Sequence, residues 1–214
     1  MIYYLQVGAQ AWRKTMAAGT RERILGVSAE IFRRQGYEGT GLKQIVTAAK
    51  VPFGSLYHFF PGGKEQLGAE AIRVSGGQFA LLGNAILDGS PDIVSGLRNL
   101  FSGAAQTMLA TDYADACPIA TVALEVSSSS EPMRQAAAEV FEGWITDLQQ
   151  RLITAGIPTD RARALAIATL SLLEGAFIFS RAMKTVQPVE MAGAAAVQAI
   201  ELAIRELAGG AGED

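Results

Sequence analysis

Apolar positions recur every three or four residues along almost the whole chain, the spacing of helices with one face turned to a core. In TRERILGVSAEIFRRQGY, Ile24, Val27, Ile31 and Phe32 share a face; Thr20 is placed to cap the start, and Gly36 to end the helix in a left-handed conformation. Leu42, Ile45, Val46 and Ala49 repeat the pattern in a shorter helix, with Thr40 as its candidate cap. Pro52 suits the first position of a third helix, where its missing N–H costs nothing, and Pro61-Gly62-Gly63 stops that helix after Phe60.

Longer helices follow. One is expected from Lys64 to Leu87, and one from Ser90-Pro91 to Leu109. A short one opens at Pro118 and ends at Val126, and the polar run 127–132 leads to another that ends at Gly156. Thr159 or Asp160 caps the next, to Met183, and Pro188 opens the last, to Leu207. No segment alternates as a strand does. The pattern predicts an all-α fold of about nine helices.

Two short helices joined by a tight turn and braced by a longer one form a helix-turn-helix, whose second helix is the element that enters a DNA major groove. Its inward positions are Val51, Leu56 and Phe60; Pro52, Phe53, Ser55, Tyr57 and His58 point outward. Charge supports that reading. Up to Arg73 there are 10 basic residues against 5 acidic, and from Val74 onward 8 against 16, so a total of −3 hides a basic head on an acidic body. Such a head suits a polyanion, the alternative being an uneven solvated surface.

Half of the residues are apolar and 18% are charged, enough for a filled core. The single cysteine, Cys117, excludes an internal disulfide framework and suits a reducing compartment, so a bacterial cytoplasm is expected. The most apolar run, residues 164–180, is short for a membrane span and carries Glu174. The opening residues lack the order of a signal peptide. One histidine, one cysteine and no clustered carboxylates leave little for acid–base, metal or nucleophilic chemistry, so neither an enzyme nor a cofactor is expected. A Walker loop fails as well, because His58 stands five residues before Gly63 and Glu65 replaces the magnesium-binding hydroxyl.

Residues 20–67 resemble the DNA-binding head of TetR-type repressors. GYEGTGLKQIVTAAKVPFGSLYHFFPGGKEQL follows that family's pattern of G-x-T, a short helix, A-G-V-S-x-G-x-L-Y-x-H/Y-F and K-E-x-L. FPGGKEQL and CPIATVALE further resemble the branch typified by lincomycin-resistance and flavonoid-responsive repressors. The resemblance implies that Thr40, Lys43, Tyr57 and Lys64 meet phosphate. It also implies that Gly54 lets the backbone approach DNA and that Pro52, Phe53, Ser55 and His58 face base edges. A phenyl ring cannot hydrogen-bond, which leaves Phe53 a thymine methyl or groove shape to read. Three positions depart from the pattern: Lys50 replaces the turn glycine, Pro52 a serine, and Phe59 a histidine or tyrosine.

The resemblance divides the chain into an N-terminal extension (1–19), a head (20–67), a ligand-binding and dimerisation body (68–208) and a tail (209–214). Met16 begins MAAGTRERI as such repressors often start; residues 1–15 are then a misassigned start or an arm whose Arg13 and Lys14 reach a minor groove. Leu165, Ala168, Leu172, Gly175 and Phe179 keep 3/4 spacing, as do Val197, Ile200 and Ile204. The family pairs two subunits through these last two helices; the alternative is that both stripes complete the monomer core. Phe79, Phe101, Met108, Tyr113, Cys117, Trp144, Glu174 and Phe177 are candidates for an effector pocket, or simply core. The function implied is that of a ligand-responsive repressor, a homodimer on palindromic double-stranded DNA released by a small hydrophobic effector. The competing reading is a helical interaction protein whose head no longer binds DNA.

Overall fold

The computed structural model describes residues 19–115, 117 and 119–210. Among them run nine helices and no strand: α1 Thr20–Gln35, α2 Leu42–Ala48, α3 Phe53–Phe59, α4 Gly63–Asp88, α5 Ile93–Ala110, α6 Ala120–Val126, α7 Glu131–Thr154, α8 Thr159–Met183 and α9 Gln187–Gly210. The expected elements are therefore present. Arg13, Lys14, Pro118 and residues 211–214 lie outside the described residues.

Helix starts differ from expectation at several points. Gly19 caps α1, Gly41 caps α2, and Pro158 caps α8, none through a side chain; Thr20 and Thr159 are the first residues of their helices and Asp160 the second of α8. Pro52 is the residue before α3, with φ −61° and ψ 145°, and not its first. The α5 cap is Asp92, whose carboxylate accepts the Ser95 N–H at 2.8 Å and the Ser95 hydroxyl at 2.9 Å. Those bonds hold its carboxyl below the usual carboxylate range. By length and composition α8 is apolar enough to cross a bilayer, with a mean hydropathy of 1.6 over 18 residues. The shorter run considered in the sequence omitted the residues that extend this helix at both ends.

The chain forms two units, and the division falls within α4 and α7. In the first, α1 lies against α2, α3 and α6, and α2 against α3. Ile24, Val27, Ile45, Leu56, Phe60, Leu67 and Met133 are fully buried there, each worth about 1.5–3 kcal/mol of transfer free energy. Helices α4 and α7 meet through glycine: a Cβ on Gly68 would fall 2.6 Å from Met133 Cε, and one on Gly76 would fall 2.3 Å from Val140 Cγ1.

In the second unit α9 packs on α8 and α5. Its core joins Leu97, Leu148, Leu152, Ile157, Ala162, Ala166, Val197, Ile200 and Ala203, with Leu165 and Ile204 packed against it. Val197 and Ile200, expected at a subunit interface, are thus 5% and 0% exposed inside one chain. The apolar spacing of α9 serves the monomer. Exposed apolar side chains lie elsewhere, at Ile167, Leu172, Ile178, Phe179 and Met183 of α8 and Met191 and Leu202 of α9.

Candidate nucleic-acid interface

The turn between α2 and α3 is a six-residue C-terminal motif. Val51 N–H donates to Val46 C=O at 3.1 Å and Lys50 N–H to Thr47 C=O at 3.2 Å, the pair of bonds that closes a helix around a left-handed residue. That residue is Lys50, with φ +55°. The turn therefore accepts the strain that a glycine would avoid.

This turn sets α3 with Leu56 and Phe60 fully buried and Pro52, Phe53, Gly54, Tyr57 and His58 exposed; Ser55 and Phe59 are half-buried. Phe53 and Tyr57 are each 49% exposed. Their ring centroids lie 5.9 Å apart, one helical turn along the same face. His58 rests edge-on against Phe59 at 4.7 Å. A Cβ on Gly54 would meet nothing within 4 Å, so the chain's own packing does not demand glycine there. Leu56 and Phe60 face inward and Pro52, Phe53, Tyr57 and His58 outward as expected, whereas Ser55, expected outward, and Val51, expected inward, are both half-buried at the edge of the helix.

Beside α3, Gly63 opens α4 with φ +65° and Lys64 follows it. The Lys64 ammonium sits 4.2 Å from the centre of the Tyr37 ring. Burial, then the Glu38 and Glu65 carboxylates, push the Tyr37 phenol up; it stays neutral and offers the cation its π face. Tyr37 thus orients Lys64, a role the sequence pattern did not reveal. Lys43 is exposed on α2. Thr40 is not available as expected: it is 1% exposed and its hydroxyl donates to the Gly36 carbonyl at 2.7 Å. It closes the α1–α2 turn instead of meeting phosphate.

One further contact holds that turn. The Glu38 N–H donates to Glu125 Oε2 at 2.9 Å. A Cβ on Gly36, whose φ is +79°, would lie 2.0 Å from Glu125 Oε1. Glu125 ends the CPIATVALE stretch, so the sequence marked the motif without revealing its contact.

The effector candidates separate. Phe79 and Cys117 belong to the first unit and the other six to the second. Phe101, Met108, Cys117, Trp144 and Phe177 are buried, and Phe79, Tyr113 and Glu174 half-buried. Tyr113 lies under the Lys184 ammonium at 5.3 Å, and Cys117 Sγ accepts the Ile119 and Ala120 N–H groups at 3.4 Å each. A cavity of about 590 Å³ lies between α5 and α9, lined by Phe101, Ala105, Leu109 and Val197 among others. Of the eight candidates Phe101 alone lines it. Of the expected pairing residues on α8, Ala168, Leu172 and Phe179 are exposed, Gly175 is half-buried, and Leu165 is turned to the core.

A three-helix head with an outward aromatic face on its second short helix defines a helix-turn-helix protein with an all-helical body. Residues 24–71 match the family model described as bacterial regulatory proteins, tetR family. Residues 94–195 match that of the LmrA/YxaF-like transcriptional regulators, C-terminal domain. An uncharacterized HTH-type transcriptional regulator of Mycobacterium tuberculosis is 34% identical over 178 residues, covering 81% of this chain and 90% of its own. The HTH-type transcriptional regulator LmrA of Bacillus subtilis is 31% identical over 170 residues, covering 79% and 90%. A TetR transcriptional regulator from Legionella pneumophila, 24% identical, shares the fold with a TM-score of 0.74 over 85% of this chain and 97% of its own. The chain belongs to the TetR family of transcriptional regulators, in its LmrA/YxaF-like branch.

Proposed function

We propose that this regulator is a repressor that binds double-stranded DNA as a homodimer and leaves it when a small hydrophobic effector binds. The observation that carries the DNA-binding part is the face of α3. Its inner residues fix the helix in the head, while Phe53, Tyr57 and His58 stand exposed beside Lys64 and the start of α4. Phosphate oxygens suit the start of α4, a helix N-terminus whose second residue is Lys64.

Pairing is supported by the exposed apolar residues of α8, which give that helix its high hydropathy and which a second copy would cover. The cavity between α5 and α9, where Phe101, Leu109 and Val197 meet Arg98, Gln106 and Glu190, supports a small effector with an apolar part and a polar group. Release then requires unequal effector affinity for the DNA-bound and free arrangements, and operator DNA must weaken effector binding by the same factor.

A mobility-shift titration on the DNA upstream of the gene, at several salt concentrations, tests the reading. Specific binding is expected, with affinity falling as salt rises. Lys64→Ala should weaken binding to all duplexes and reduce the salt slope by about one. Tyr57→Phe should weaken it similarly across sequences. A folded protein that binds no duplex at low salt would leave the interaction-protein reading in place.

A further inference from the structure

We infer that α3 reads its site through the C5-methyl group of a pyrimidine, with Phe53 as the sensing side chain; this rests on the DNA-binding reading above. The stretch from Pro52 to Phe59 contains no arginine, lysine, asparagine or glutamine. It therefore lacks every side chain that grips a purine edge with two hydrogen bonds. Pro52 has no N–H, Gly54 no side chain, and Ser55 is half-buried. What the helix presents at its first turn, the part that reaches base edges in this motif, is a phenyl ring.

That ring is held out. Phe53 is 49% exposed although its neighbours Leu56 and Phe60 are fully buried. Tyr57, one turn later, supports it at 5.9 Å with the rings tilted by 54°, within the range of favourable aromatic pairs. The arrangement leaves an apolar surface on one flank of the ring and a hydroxyl-bearing partner on the other. In the major groove the apolar features are the methyl of thymine and, equally, that of 5-methylcytosine. Phe53 discriminates methylated from unmethylated pyrimidines at its position. Burial of one methyl group corresponds to about a four-fold change in affinity, and of one in each half-site to about fifteen-fold.

The full-length protein is used to enrich a binding site from a library of random duplexes. Each thymine of the enriched site is then replaced in turn by deoxyuridine, which removes only the methyl. At the position facing Phe53 a C·G pair is compared with 5-methylcytosine·G. The expected result is about a four-fold loss with uracil at one position per half-site, and about a four-fold gain on methylating cytosine there. Phe53→Ala, with unchanged helical circular dichroism, should abolish both effects, and Phe53→Leu should keep them in reduced form. Enrichment of a site with equal affinity for thymine and uracil throughout overturns the inference alone. Methyl sensitivity that persists in Phe53→Ala overturns it too, by assigning the effect to duplex shape. Failure to enrich any site overturns the DNA-binding reading along with it.

Discussion

Lys50 carries the clearest local cost in the head. A left-handed conformation costs a side-chain-bearing residue about 1–2 kcal/mol, and glycine loses part of that advantage through its unfolded-state entropy. Lys50→Gly is therefore expected to stabilise the protein by about 0.5 kcal/mol, read as a higher denaturant midpoint at unchanged slope. Lys50→Ala, which keeps the strain, should not. The substitution was visible in the sequence as a departure from the family pattern, but whether the turn would reroute or strain was not. Thr40 shows the converse. Its type fits both a cap and a phosphate contact, and only the position of the Gly36 carbonyl decides that its hydroxyl is spent inside the head.

At the scale of elements, the helices themselves were legible because 3/4 apolar spacing is redundant over many residues. Their starts were not. A cap depends on which N–H groups remain unpaired, and that changes with a shift of one residue: Asp92 caps α5 just after the Ser90-Pro91 pair expected to open it. Close helix approach was also hidden, since a glycine within a helix looks the same whether its space is used or empty. Gly68→Ala and Gly76→Ala should separate these cases. At Gly68 the nearest atoms are the flexible end of Met133, with the Tyr37 ring 3.0 Å away, so a rotamer change of Met133 and gained helix propensity offset most of the crowding. At Gly76 the obstacle is the β-branched Val140, stiff at χ1. Thermal melts should show Gly76→Ala several degrees below wild type and Gly68→Ala close to it.

The first turn of α7 supplies a pH test. The Arg134 guanidinium, bonded to Glu131 at 2.6 and 2.7 Å, and then Gln135 hold the Glu131 carboxyl down to about 2. A carboxyl lower in the folded state than its ordinary 4.5 stabilises the fold above that value and loses the contribution as pH falls toward 2. Glu131→Gln should thus melt below wild type at pH 6, and the gap should narrow as the pH falls below 4.5 and close only near pH 2. The solvent exposure of both side chains keeps the effect small and salt-sensitive.

For the molecule as a whole, the sequence marks apolar stripes on α8 and α9 but not which chain covers each of them. Val197 and Ile200 turned out to serve their own core, whereas Met191 and Leu202, outside the expected stripe, stand open. Phe179, 62% exposed, was assigned to pairing and remains free to do so. Phe179→Glu with Ile178→Glu should convert a dimer into a monomer in sedimentation at micromolar concentration, with helical content retained. The wild-type chain sedimenting as a monomer would count against pairing.

The exposed side of α8 also bears on how long a lone chain persists. Under the proposed pairing, a newly made chain carries an oily stripe of phenylalanine, isoleucine, leucine and methionine in the open until a second copy covers it. Such stripes attract chaperones and proteases, so orphan copies should be cleared faster than matched ones. Abundance would then rise more steeply than synthesis rate, and the wild-type chain's half-life after translation is stopped should lengthen as its concentration rises.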